Sequence, residues 1–67
     1  MTYTAGLRHH SISRARTVSA ETIDAAKRLA SREFRDEFQD YEIVIVNEAD
    51  EIVSRRRVSE RRWHDAD

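Results

Sequence analysis

The sequence predicts a small α+β domain, with one long helix packed on an antiparallel sheet of about four strands in the order ββαββ. Three observations lead there. Residues 20–39 contain no glycine or proline and carry apolar residues at helical spacing. Residues 43–46 are four consecutive β-branched residues, which favour strand over helix. The segments before the helix and after that strand alternate at period two. A single helix laid on one face of an antiparallel sheet is the economical way to bury both.

Taken in order, residues 2–8 place Tyr3, Ala5 and Leu7 on one face, with Thr2, Thr4 and Gly6 between them. Residues 12–18 continue in strand-tolerant types, and Arg8-His9-His10-Ser11 supplies a turn or bulge. One long bent strand is the alternative. Ser19 is the expected N-cap, because its hydroxyl can accept a free first-turn N–H. Glu21 then lies near the positive end of the helix dipole. Val18 and Ile23 hold the positions of a hydrophobic staple. Ile23, Ala26, Ala30, Phe34 and Phe38 recur at spacings of three and four, and Leu29 widens the stripe. The two alanines at mid-stripe allow a sheet to approach closely.

In the next strand, Tyr41, Ile43 and Ile45 share one face, while Val44 and Val46 make the other apolar too. A strand apolar on both faces is expected at the centre of a sheet, or with its second face covered. Asn47-Glu48-Ala49-Asp50 is a turn, and residues 51–58 return antiparallel. Ile52 and Val58 are expected inward, Arg55 and Arg57 outward. Arg56 shares the inward parity, so it either snorkels at the sheet end or touches a partner. Residues 59–67 are expected to form a less ordered tail, with Trp63 as a lid over the end of the core.

The chain has 67 residues, which makes residues 1–67 a single domain. A domain this short buries only about 60% of its unfolded surface. There is no cysteine, hence no disulfide or thiolate metal site. The longest apolar run is residues 43–46, and the N-terminus lacks the apolar core of a signal peptide. A soluble intracellular protein without a membrane partner is expected. So thin a core cannot also wall a deep pocket, so no cofactor is expected.

The formal net charge of -1 conceals an uneven distribution. Residues 1–18 carry +3, residues 19–51 carry -6 and residues 52–67 carry +2. Eleven of the twelve basic residues are arginine. Arginine makes flat, bidentate contacts to phosphate and carboxylate, although GC-rich coding produces the same bias.

No serine lies in a Gly-x-Ser-x-Gly context. Asp36, Glu37 and Asp40 read as a solvated acidic face. His9 and His10 are neighbours on a strand and point to opposite faces, so they do not chelate one ion. His64 beside Asp65 lacks a third ligand at typical spacing. The residues therefore point away from catalysis and from a metal site.

The helix exterior carries more information. At about 100° per residue, Arg28, Arg32, Arg35 and Gln39 fall in a narrow arc opposite Ile23, Ala30 and Phe34. Glu33, Asp36 and Asp40 form a separate acidic flank. Two readings compete. One is a solvated face held by i,i+4 pairs such as Asp24–Arg28 and Arg32–Asp36. The other is a positive ridge that meets phosphates or acidic side chains of a partner.

Ala26-Lys27-Arg28-Leu29-Ala30-Ser31-Arg32-Glu33, together with Arg62-Trp63-His64-Asp65 near the C-terminus, resembles the small phage anti-CRISPR proteins that inhibit type I-F systems. Members share this length, the helix motif Ala-Lys-Arg-x-Ala-Ser-Lys-Glu and an ending Arg-Trp-x-Asp. The resemblance covers roughly the C-terminal two-thirds. It differs in a longer helix-to-hairpin stretch, Phe34-Arg-Asp-Glu-Phe38, and in Ala49 or Asp50 and Glu60 where the family has turn glycines. It implies a curved antiparallel sheet wrapped around one helix. It also implies a non-enzymatic inhibitor in the cytoplasm of the bacterial host. That inhibitor would bind the backbone subunits of the crRNA-bound surveillance complex and block target DNA. Lys27, Arg28, Arg32 and Arg62 match the family's basic contact positions, and Arg35 extends the ridge. Weak DNA contact through that stripe is part of the implication. The protein is expected to be a monomer or weak dimer. The other reading is a small phage nucleic-acid-binding or regulatory protein.

Overall fold

The computed structural model describes residues 1–9, 12–37 and 39–66. One helix lies on a five-stranded antiparallel sheet. The elements in chain order are β1 (Tyr3–His9), β2 (Ile12–Ala20), α1 (Ile23–Glu33), β3 (Glu42–Val46), β4 (Ile52–Arg57) and β5 (His64–Asp65). The spatial order is β2-β1-β3-β4-β5. The α+β class holds, with a short fifth strand added to the four expected. Among the described residues, no helix is long and apolar enough to cross a membrane.

The strand parities follow the sequence pattern. Ala5 and Leu7 of β1 and Ile43 and Ile45 of β3 point to the helix and are buried. Ala5 pairs with both Val18 and Ile45, so one row of side chains crosses three strands. β3, apolar on both faces, is the central strand, as expected of it. Ala26 and Ala30 are fully buried against this sheet. Their short side chains bring α1 down onto β1, β2 and β3. Phe34 completes the core, fully buried. Phe38, the fifth residue of the expected stripe, lies outside the described residues.

The helix is shorter than its pattern predicted. It begins after Thr22, whose hydroxyl accepts the Ala25 N–H at 3.1 Å. Ser19 is not the cap, because β2 continues to Ala20 in register with Tyr3. Val18 and Ala20 are needed as core-facing strand residues, so Val18 does not form the helix staple. The helix ends at Phe34, whose N–H still bonds Ala30 O at 2.9 Å. Eleven residues rise about 16 Å, close to the length of a five-residue strand. The predicted residues 20–39 would rise about 30 Å, nearly twice the observed helix.

The β3–β4 hairpin turns on Asn47. Its side-chain oxygen accepts the N–H groups of Ala49 and Glu51 at 2.9 and 3.0 Å. Asp50 takes the left-handed conformation, φ 63°, which Asp tolerates better than most residues. A bulge then breaks the register between Ile45 and Val46, so Ile45 faces Ser54 and Val46 faces Ile52. This corrects one expectation. Strict alternation put Ile52 inward beside Arg56, but the extra residue turns it outward, 41% exposed. Arg55 and Arg57 are exposed and Arg56 is buried, as the parity required.

Candidate partner-binding site

The outer face of α1 and the C-terminal segment form a shallow groove of about 670 Å³. Asp24, Lys27, Arg28, Ser31, Arg32 and Arg35 line one side and Trp63 the other. Helical spacing explains the basic wall: Arg28, Arg32 and Arg35 succeed one another at four and three residues. All three are exposed. The i,i+4 pairs expected from Asp24–Arg28 and Arg32–Asp36 do not form, and neither Arg28 nor Arg32 is ion-paired to any described residue. Arg35 lies 4.0 Å from Asp36, both side chains almost fully in solvent. Such a pair contributes little.

Trp63 is held by two cations. The Arg56 guanidinium lies 4.9 Å from the ring centroid and the Lys27 ammonium 5.9 Å. The ring packs against the core cluster, so the expected lid is present. Lys27 is turned inward, its side chain 17% exposed, with its ammonium 2.8 Å from the Asp65 carboxylate. Asp65 also accepts the Ser54 hydroxyl at 2.6 Å. The Lys27 bond, and secondarily that of Ser54, hold the Asp65 carboxyl below its ordinary pKa. These contacts seat β5, which pairs with β4 through Ser54–Asp65 and Arg55–His64.

Arg56 reaches beneath this arrangement. Its guanidinium donates to Ser31 Oγ at 2.9 Å and to the Glu60 carbonyl, with longer contacts to the carbonyls of Arg57 and Val58. Its Nε is buried without a partner. Burial lowers the pKa of the guanidinium, and the nearby Glu60 charge partly opposes that. Glu60 accepts the Arg57 N–H at 3.1 Å. That bond is the main cause of a carboxyl pKa below its ordinary value.

The structure thus brings together four of the five basic residues named from the sequence, Lys27, Arg28, Arg32 and Arg35. Arg62 is exposed and is not part of the groove lining. Lys27 differs from the other three because its charge is engaged by Asp65. Ser31 and Asp24, not among the expected contact residues, also line the groove. Both sit on the same helix side as Lys27, so helical spacing alone places them there. Parity placed Arg56 inward, but the partners of Arg56 and Asp65 had no local signal: Ser31 lies 25 residues from Arg56 and Ser54 lies 11 from Asp65. Among the described residues, no cluster of three or more His, Asp or Glu side chains could hold a metal. No protein-family model, curated protein or solved structure matches the chain.

Proposed function

We propose that this protein is a non-enzymatic, stoichiometric inhibitor that docks the α1 groove on the backbone subunits of a type I CRISPR surveillance complex. The bound inhibitor would obstruct target DNA. The observation that carries this reading is the row Arg28, Arg32 and Arg35 facing solvent beside Trp63, with two of its members free of ion pairs to described residues. Unpaired guanidiniums next to an aromatic wall suit a flat anionic surface, either guide phosphates or carboxylates. Crowded nucleoprotein grooves present both. The choice of that particular complex rests on the helix and Arg-Trp resemblance. The one-helix, five-stranded sheet is compatible with it in outline.

The test is Arg28→Glu/Arg32→Glu, measured for effector binding and by circular dichroism melting, with Arg14→Glu as control. Binding is expected to be lost at nearly unchanged melting. Truncating one member of a desolvated charge pair costs about 2–5 kcal/mol, whereas surface substitutions usually change stability by less than about 0.5 kcal/mol. Undiminished binding would return the arginines to a solvated face. The second reading, a nucleic-acid-binding protein, draws on the same basic-aromatic groove. It predicts binding of free DNA by the isolated chain with a steep salt dependence.

A further inference from the structure

The groove along α1 carries acids as well as arginines, and their places decide which anion fits it. Asp24 lines the groove one helical turn before Arg28. Asp36 follows Arg35 and lies 4.0 Å from it. On the segment that carries Trp63, the Asp65 carboxylate holds the Lys27 ammonium at 2.8 Å. Of the groove's cations, Arg28 and Arg32 therefore stand free of ion pairs to described residues. They are four residues apart, a rise of about 6 Å. The open positive stretch is about one helical turn long. A carboxylate bounds the arginine row at either end, and a third sits on the segment opposite.

We propose, resting on the reading of this groove as the docking site, that it takes discrete carboxylates of an acidic protein segment, and that Asp24, Asp36 and Asp65 turn a nucleic-acid strand away. A side-chain carboxylate pairs with one guanidinium at a time, in a flat bidentate contact. A protein partner can place one or two acids within a single turn and set neutral residues opposite Asp24 and Asp36. A nucleic-acid strand has no such freedom. Its phosphates recur along its whole length, in a duplex every ~3.4 Å of rise per strand. A strand laid along α1 to meet both Arg28 and Arg32 runs on past Asp24 or Asp36, and like charges set against each other suppress the wrong partner. Trp63 does not stand clear as a platform for stacking bases either. It packs against the core cluster, and Arg56 and Lys27 already lie within cation–π range of its ring.

Fluorescence anisotropy of a labelled single-stranded oligothymidylate, titrated with the full chain across a salt series, reads the exclusion. Wild type should bind it weakly, and Asp24→Asn/Asp65→Asn more tightly. Freeing Lys27 adds one phosphate contact and should steepen the salt slope by about 0.7. Adding Lys27→Met should remove that increment. Asp24→Asn/Asp36→Asn, both at exposed positions outside β5, tests the same exclusion without disturbing that strand, with folding checked by circular dichroism. An alanine-rich peptide with glutamates four residues apart tests the carboxylate side. At millimolar concentration it should shift the side-chain NMR signals of Arg28 and Arg32, and its glutamine counterpart should leave them in place. Three results would overturn the proposal: no gain in oligonucleotide binding by either double variant, arginine signals unmoved by the glutamate peptide, or tight wild-type binding of the oligonucleotide with a steep salt slope, which would assign the groove to nucleic acid. Effector docking of Arg28→Glu/Arg32→Glu is measured separately. Loss of docking alongside any of those three results removes the carboxylate assignment and leaves the docking site standing, whereas undiminished docking removes both.

Discussion

Replacing Arg56 examines how the C-terminal segment is held. The side chain is 9% exposed, stacks under Trp63, donates to Ser31 and reaches the carbonyls of the 57–60 turn. Arg56→Ala removes the stack, worth about 0.5–2 kcal/mol. It also removes charged hydrogen bonds worth about 1.5–3 kcal/mol each. Against this, the buried Nε has no partner, a group whose desolvation costs about 1–3 kcal/mol. The net expectation is a loss of about 3–5 kcal/mol, comparable to breaking a buried charge contact. For a domain of this size that corresponds to a fall in Tm of roughly 12–40 °C, from about 4–8 °C per kcal/mol. Arg56→Met keeps the aliphatic packing under the ring but not the bonds, so it should fall between wild type and Arg56→Ala. The chain has one tryptophan, so intrinsic fluorescence reports Trp63 alone. Its emission should shift to the red in the milder Arg56→Met at temperatures where circular dichroism remains folded. A methionine variant as stable as wild type, with unmoved emission, would refute the claim that the guanidinium holds the segment.

Other outcomes follow from the same structure. Phe34→Ala empties a fully buried site and should cost about 3–5 kcal/mol. A domain at about 0.05–0.15 kcal/mol per residue has little more than that to lose, so urea titration should show a largely unfolded chain. Thr22→Ala should cost about 1 kcal/mol through the lost cap, and Ser19→Ala much less, as read by paired thermal melts. The Asp65 carboxyl lies below the ordinary 3.8 in the folded state. Its contribution to stability is therefore full above that value and lost as pH falls through the depressed one. Acid titration of Trp63 fluorescence should show a transition in that window, and Lys27→Met should move it toward the ordinary carboxylate range.

The helix, four of the five strands and most of their inward faces were legible because each rests on local periodicity, whereas β5 carried no such pattern. Tyr3, Ala5 and Leu7, the Ala26–Ala30–Phe34 stripe, and the doubly apolar β3 each report their own geometry from neighbours within four residues. The row Arg28, Arg32 and Arg35 was legible for the same reason, since residues at three and four positions share a helix face. Helix length was not legible. No glycine or proline in residues 34–39 marks an end, yet α1 stops where Phe34, its C-cap, enters the core. Nor was the orientation of Ile52, because a bulge adds one residue to the alternation and reverses every parity beyond it. The division of labour among the cations was also beyond the sequence. Lys27 and Arg28 are adjacent, yet one is bound to Asp65 and the other makes no ion pair with a described residue. Parity marked Arg56 as the inward member of its run, but not that Trp63 would lie over it. Those assignments depend on which strand pairs with which, and pairing joins residues far apart in the chain through contacts that no local pattern encodes.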